Sequence, residues 1–508
     1  MRVDRVKPGL VGAWLCAHSC AALELQRRNF GDTTAVCNDG SPSGFYWAPT
    51  PQHTVTSPAL GPPVWLVFLD GGGWCHDAQT CAKRCGPQLN GHLCSSKGWA
   101  SSRDVGGIFD SKMPSIAQAN KLFIPYCTSD AHMGDGAAFG MQFRGAAVVR
   151  AALAELVTLG LGQRQERARL LFGGMSAGAR GAMVFLDDVP SLLPEPVRPL
   201  VQVLGFLDSA AWIDLPVVPT SWFAGFANVT RDVFRIAKPP HLGARCAEAY
   251  PGDGLWRCIF GQYRLPFITS PVFLVADQYD SYQLDHDLGH WHAPRGNAEF
   301  SYANHFANLT SALLSRLASS GGARFAYSAR CHRHAISLGP QFSQRACMAL
   351  SMERALEIFL ERGGANASSP AAGAEAEPLA WIDASCEGFN CCCEEAGPDG
   401  PAIVAWLAAS TALVCGAVAV RRGWRRRGLR LSTRGLQQRG LLRAEELAAW
   451  GVAPVATWRA RLPRWLGVGV VRNSGAAHGP ATAMVPAPGV ERSAASIPAP
   501  APAGRTAE

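Results

Sequence analysis

The stretch LLFGGMSAGARGAMVFL, residues 170–186, passes from an apolar run through glycines to a pattern of Ala, Met, Val and Phe at helical spacing. At its centre, Gly174-Met175-Ser176-Ala177-Gly178 is a G-x-S-x-G between a strand signal and a helix signal. The two glycines let the chain turn sharply enough to hold the Ser176 hydroxyl out of the loop. The start of the following helix favours negative charge developing there. A glycine-rich helix cap has the same local spelling, so the serine needs partners elsewhere before it counts as a nucleophile.

Two further runs resemble the first. Val64–Leu69 is apolar and ends in Asp70-Gly71-Gly72-Gly73-Trp74-Cys75, and residues 271–276 end in Asp277. Helical patterns lie between the runs, as in 143–159. Strands alternating with helices predict an α/β fold with a mostly parallel sheet covered on both faces. In such sheets ligands sit beyond the carboxyl ends of the strands, so all three loops are expected on one edge.

A serine hydroxyl needs a base, and the base needs an orienting carboxylate, here in the chain order Ser, Asp, His. Asp280 follows the third run, with Asp277, Asp285 and Asp287 as rivals in ADQYDSYQLDHD. Downstream, Cys331-His332-Arg333-His334 offers two histidines beside a cysteine that can pin their loop. Chemistry alone leaves His332 and His334 both open. The triple glycine at 71–73 removes side chains so that backbone N–H groups can converge, and the N–H groups of Gly72, Gly73 and Ala177 are the candidate oxyanion donors. Trp74 and Tyr126 are candidates to line an acyl or sugar pocket, with aromatic core packing the competing role. His286, His290 and His292 form H-x3-H-x-H, a spacing open to metal but also to an ordinary polar loop.

The chain has 508 residues, 48% hydrophobic and 17% charged, which excludes a wholly disordered chain or a coiled coil. Its formal charge of +8 is uneven: residues 421–508 hold 15 Lys/Arg against 4 Asp/Glu, and residues 1–420 net −3. The basicity belongs to the tail, and no nucleic-acid partner is expected. Of 17 cysteines, 14 lie between Cys37 and Cys393, a density expected where disulfides persist. The sequons Asn228-Val-Thr, Asn308-Leu-Thr and Asn366-Ala-Ser suit the same lumenal or extracellular side.

Residues 401–420, PAIVAWLAASTALVCGAVAV, are uncharged and long enough for a transmembrane helix. RRGWRRRGLR follows and places the C-terminal side in the cytoplasm. Residues 1–22 read as a signal peptide with a short apolar core. The expected organisation is therefore a single-pass type I membrane protein with its body outside. Residues 363–378 are a small-residue linker. The Ala/Pro/Arg tail, 421–508, is expected to be largely disordered, with a short amphipathic helix over 436–450.

The motifs LDGGGWC (69–75), FIPYCTSD (123–130), Gly134-Asp135, FRG (143–145), GMSAG (174–178), YDSYQL (279–284) and the C-x-x-H of 331–334 together resemble the pectin acetylesterase/Notum family. The resemblance covers residues 35–395, including WIDASC (381–386). It implies an α/β-hydrolase-like serine esterase without metal or cofactor, in which Ser176 is the nucleophile, Asp280 the orienting acid and His334, rather than His332, the base. It also implies that Cys391, Cys392 and Cys393 enter disulfides; Cys75 with Cys81 is a plausible bridge holding the glycine loop.

The substrate expected first is an O-acetylated polysaccharide. The alternative is a palmitoleoylated protein, as in the Notum branch. A non-catalytic receptor for glycan or lipid on the same fold is the reading from another class. Three positions depart from the family pattern: Asp70 stands for Glu, Ala179 for Gly, and Ala335 for a polar residue.

Overall fold

The computed structural model describes residues 24–49, 62–86, 91–163, 166–321, 323–363 and 380–393. The expected signal peptide, the transmembrane segment, the basic tail and Asn366 lie outside the described residues. Among those described, no helix is long and apolar enough to cross a membrane.

Among the described residues twelve strands are present: β1 Glu24–Asn29, β2 Gly44–Ala48, β3 Val64–Leu69, β4 Ser102–Asp104, β5 Asn120–Ile124, β6 Gly136–Ala138, β7 Met141–Phe143, β8 Ala168–Met175, β9 Val201–Asp208, β10 Val272–Val275, β11 Arg324–Ser328 and β12 Ala380–Ile382. Ten form one sheet in the order β12-β11-β10-β9-β8-β3-β5-β2-β1-β4, and β6 with β7 makes a separate hairpin. Pairing is parallel from β12 to β5 and antiparallel from β5 through β2 and β1 to β4. This is the mixed, mostly parallel sheet of an α/β-hydrolase-like fold.

The side-chain period of two divides each central strand between two cores. Trp65, Val67 and Leu69 of β3 join Leu170 and Phe172 of β8 in one apolar cluster, while Val64, Leu66 and Phe68 join Leu171, Phe206 and Phe273 in the other. Every residue of β3 is buried, which is why it reads as a continuous apolar run rather than an alternation. The helix Gly145–Thr158, within the 143–159 read from the sequence, packs into the first cluster.

The chain runs from β3 outward to β5 and then returns to the other side of β3 as β8. Strand order therefore reverses between β3 and β8, and the crevice at such a reversal is where α/β sheets bind ligands. β9, VQVLGFLD, is a further apolar run ending in Asp, beyond the three strands expected from the sequence. It separates β8 from β10 and supplies the residues beneath the site.

Among the described residues, seven disulfides use all fourteen cysteines from Cys37 to Cys393: 37–127, 75–81, 85–94, 246–258, 331–393, 347–392 and 386–391. The bridges 331–393 and 347–392 tie the segment around 386–393 to the loop after β11, and 386–391 closes that segment on itself.

Candidate active site

β8 turns at Ser176 into the helix Ala177–Phe185. Ser176 holds φ 52° and ψ −118°, a conformation costing about 1–3 kcal/mol that the surroundings must over-determine. They do so with backbone bonds and close packing. The Ser176 N–H donates to the Asp208 carbonyl at the end of β9 (2.8 Å). A Cβ on Gly174 or on Gly178 would collide with the Leu69 carbonyl oxygen at the end of β3. The glycines of G-x-S-x-G are thus required by the approach of β3 to the turn as well as by its sharpness.

His334 bridges two partners. Its Nε2 lies 2.7 Å from Ser176 Oγ and its Nδ1 2.7 Å from Asp280 Oδ2. Asp280 caps the helix Ser281–Leu288, its Oδ1 accepting from the Gln283 N–H at 3.0 Å, which fixes the carboxylate plane. The imidazole is desolvated, which lowers its basicity, but the charge and hydrogen bond of Asp280, with the charge of Asp208, raise its pKa overall despite nearby Arg180.

The rival residues have other partners. His332 Nε2 pairs with Asp285 at 2.9 Å, Asp277 is bound by Arg333 at 2.8 and 3.1 Å, and buried Asp287 accepts from Gln283. The three histidines at 286, 290 and 292 do not gather: His286 donates to the Tyr282 carbonyl, His290 pairs with Glu299, and His292 bonds Ala293. Among the described residues, Cys347, Asp383 and Cys386 form a group of possible metal ligands, but both cysteines are in disulfides.

The loop after β3 carries Gly72 at φ +139° and Gly73 at φ +67°. Gly73 and Ala177, the first residue of its helix, border the cavity beside Ser176, and Gly72 adjoins Gly73 in the loop. The Cys75–Cys81 disulfide closes this loop onto the helix Ala78–Cys85, which Asp77 and Thr80 cap reciprocally. Trp74 lines the cavity beside Ser176. Tyr126 is buried beneath Gly72, stacked on His132 and accepting from the Ala131 N–H, and does not line that cavity.

Asp130 explains several of the sequence motifs at once. Its buried carboxyl accepts from Thr128 Oγ1 and from the Gly134 and Gly145 N–H groups, gathering FIPYCTSD, Gly134-Asp135 and FRG at one point. Burial nevertheless pushes its pKa up to about 7. Gly145 is fixed by this packing, since a Cβ there would meet Asp130 and the His132 backbone.

Sequence reasoning missed the second layer of the site. Asp208 accepts from the Ser337 N–H (2.7 Å) and the Ser209 hydroxyl (3.0 Å), and Ser209 Oγ accepts from the Ala335 N–H (2.9 Å). The histidine loop is thereby buckled to the end of β9 on one side and to the Cys331–Cys393 disulfide on the other. Ala335 adopts φ 56°, so its backbone, not its side chain, makes the contact. Also missed were Arg180, Trp212, Phe226 and Tyr282, which line the narrow cavity next to Ser176. The available signal was Arg180 itself, one helical turn after the serine.

Sheet order, turn and hydroxyl–imidazole–carboxylate chain together define an α/β-hydrolase-like protein with an esterase-type site at its switch point. A family model, Pectinacetylesterase, matches residues 25–332, and the chain belongs to that family of carboxylesterases. Similar relatives are the palmitoleoyl-protein carboxylesterases NOTUM of Drosophila melanogaster (32% identical over 271 residues, 51% of this chain and 38% of that protein) and of Mus musculus (32% over 269 residues, 51% of each). Notum1' of Xenopus laevis is 27% identical over 357 residues, covering 66% of this chain and 67% of that one. The matched region thus spans between about a third and a half of the first two relatives.

Among solved structures, crystal form II of the Wnt deacylase Notum from Drosophila superposes with a TM-score of 0.60 at 25% identity, covering 73% of this chain and 98% of that one. Crystal form I gives 0.58 at 28% identity, covering 67% and 93%. These relatives favour the acyl-protein alternative over the polysaccharide substrate expected first.

Proposed function

We propose that this chain hydrolyses a carboxylic ester carried by a protein hydroxyl, through an acyl-enzyme on Ser176. The observation that carries the reading is the pair of 2.7 Å contacts through which His334 joins Ser176 to Asp280. Ser176 Oγ attacks the ester carbonyl as His334 Nε2 takes its proton, and Asp280 stabilises the imidazolium at Nδ1. The Gly72, Gly73 and Ala177 N–H groups receive the oxyanion, and the proton passes to the departing alcohol. Water then repeats the sequence and frees the acid.

The names of the relatives support a protein as the carrier of the ester. Deacetylation of a polysaccharide is the second reading, supported by the Pectinacetylesterase family model that matches residues 25–332.

The disulfides, with Asn228 and Asn308 exposed on helices, support a lumenal or extracellular catalytic domain. In our reading, residues 401–420 anchor it to the membrane. A fluorophosphonate probe tests the chemistry. Labelling of the wild-type chain that disappears in Ser176→Ala supports an esterase; an unlabelled chain that still binds glycan or lipid is a receptor. A series of O-acylserine peptides of increasing chain length, set against acetylated pectin, then separates the substrates.

A further inference from the structure

Arg180 stands one helical turn from Ser176, on the helix Ala177–Phe185, and is only 2% exposed. Its guanidinium carbon lies 3.8 Å from the Trp74 ring centroid and 4.1 Å from that of Trp212, between two indoles. All three residues line the cavity that Ser176 and Ala177 enter. The guanidinium Nε and Nη2 are buried and have no hydrogen-bond partner. The phenols of Tyr282 and Tyr126 and the imidazole of His334 act on Arg180, no carboxylate forms an ion pair with it among the described residues, and desolvation lowers its pKa to about 9, which leaves it charged at neutral pH.

A buried, unpaired cation costs several kcal/mol. Two stacked indoles return part of that cost, but ring faces do not satisfy in-plane N–H donors. What fits those donors is a planar anion able to accept two parallel hydrogen bonds. An apolar acyl chain seated in the cavity leaves them unmet and removes any water that reaches them. Because Arg180 follows Ser176 by one helical turn, a rise of about 5–6 Å, the chain between reacting carbonyl and anion is short.

We propose that Arg180, held between Trp74 and Trp212, is the anion-recognising end of the acyl pocket, and that the group transferred to Ser176 is a short acyl chain ending in a carboxylate, as in the half-ester of a small dicarboxylic acid. The proposal rests on the esterase reading above. Turnover is ordinary hydrolysis: the bond from acyl carbon to Ser176 Oγ forms as the ester C–O bond breaks, the alcohol leaves with the proton from His334, and water releases the dicarboxylate.

The test compares N-acetyl-O-succinylserine methylamide with the O-butanoyl ester of equal chain length, using the full chain. A charge-assisted hydrogen bond contributes about 1.5–3 kcal/mol, so kcat/KM for the succinyl ester is expected to be at least about tenfold higher. Arg180→Gln is expected to reverse that preference and Arg180→Lys to retain part of it. Equal or slower turnover of the succinyl ester by the wild-type chain overturns the proposal, while butanoyl turnover keeps the esterase reading.

If neither ester reacts and Ser176 takes no fluorophosphonate label, the esterase reading fails instead. Calorimetry on Ser176→Ala then decides the anion site: tighter binding of the succinyl ester, lost on adding Arg180→Gln, supports it, and equal binding of the two esters overturns it.

Discussion

Replacing Asp280 with Asn separates the role of the carboxylate from that of its shape. In the native site Oδ2 accepts from His334 Nδ1–H at 2.7 Å, so Nε2 faces Ser176 without a proton and can take one. An Asn of the same volume can offer its NH2 to Nδ1, leaving the proton on Nε2, where it blocks proton transfer. It also withdraws the charge that stabilises the imidazolium. The corresponding change in a serine protease triad lowers kcat roughly 10⁴-fold, about 5 kcal/mol of transition-state stabilisation, and a loss of about 10³–10⁴ is expected here.

The pH profile moves as well. Desolvation depresses the His334 pKa, but Asp280 outweighs it and holds the imidazole above its ordinary value. Activity requires neutral His334 and therefore rises as pH passes upward through that pKa. Without the Asp280 charge, desolvation dominates and the rising limb shifts to lower pH, beneath a much lower plateau.

The assay is kcat/KM for p-nitrophenyl acetate across the acid limb, with circular dichroism to confirm folding. Asp285→Asn, which disturbs only the His332 pair, is the control and should cost less than about threefold. A folded Asp280→Asn variant with an unchanged plateau, or a larger loss in Asp285→Asn, would refute the assignment.

Removing Cys331 and Cys393 together as serines opens a loop that the retained Cys347–Cys392 bridge shortens to about 17 residues, for which chain entropy gives about 3 kcal/mol of lost stability. Denaturant midpoints of the double variant check this, and an unmoved midpoint contradicts it. Fully buried His132 donates Nε2–H to the Asp70 carbonyl and has its pKa lowered by burial from 6.5 to about 4. The unfolded chain takes up that proton first, so this contribution is intact above pH 6.5 and is lost as pH falls towards 4, by about 3 kcal/mol. Unfolding free energies measured over that interval should lose that part of their slope in His132→Gln.

Much of the site was legible because its chemistry is local. A serine between two glycines, a triple glycine after an apolar run and a histidine near a cysteine each carry their meaning within a few residues. Chain order supplied the rest of the triad search. The choice of His334 over His332 was not legible from residue type, since both lie three or fewer residues from Cys331 and both find an aspartate. Resemblance pointed to His334, and geometry places it against Ser176.

The sequence by itself determined the alternation of buried strands and helices, the sharp turn at Ser176 and the oxidised character of the body, because each depends on side-chain period, on glycine or on cysteine count. Tertiary structure alone decided which strands adjoin, and with them the switch point between β3 and β8 and the place of Asp208 under the histidine loop. It also decided that Arg180 is enclosed by two indoles rather than solvated. Those facts depend on contacts between residues such as Trp74, Arg180 and Trp212, whose separation along the chain carries no record of their separation in space.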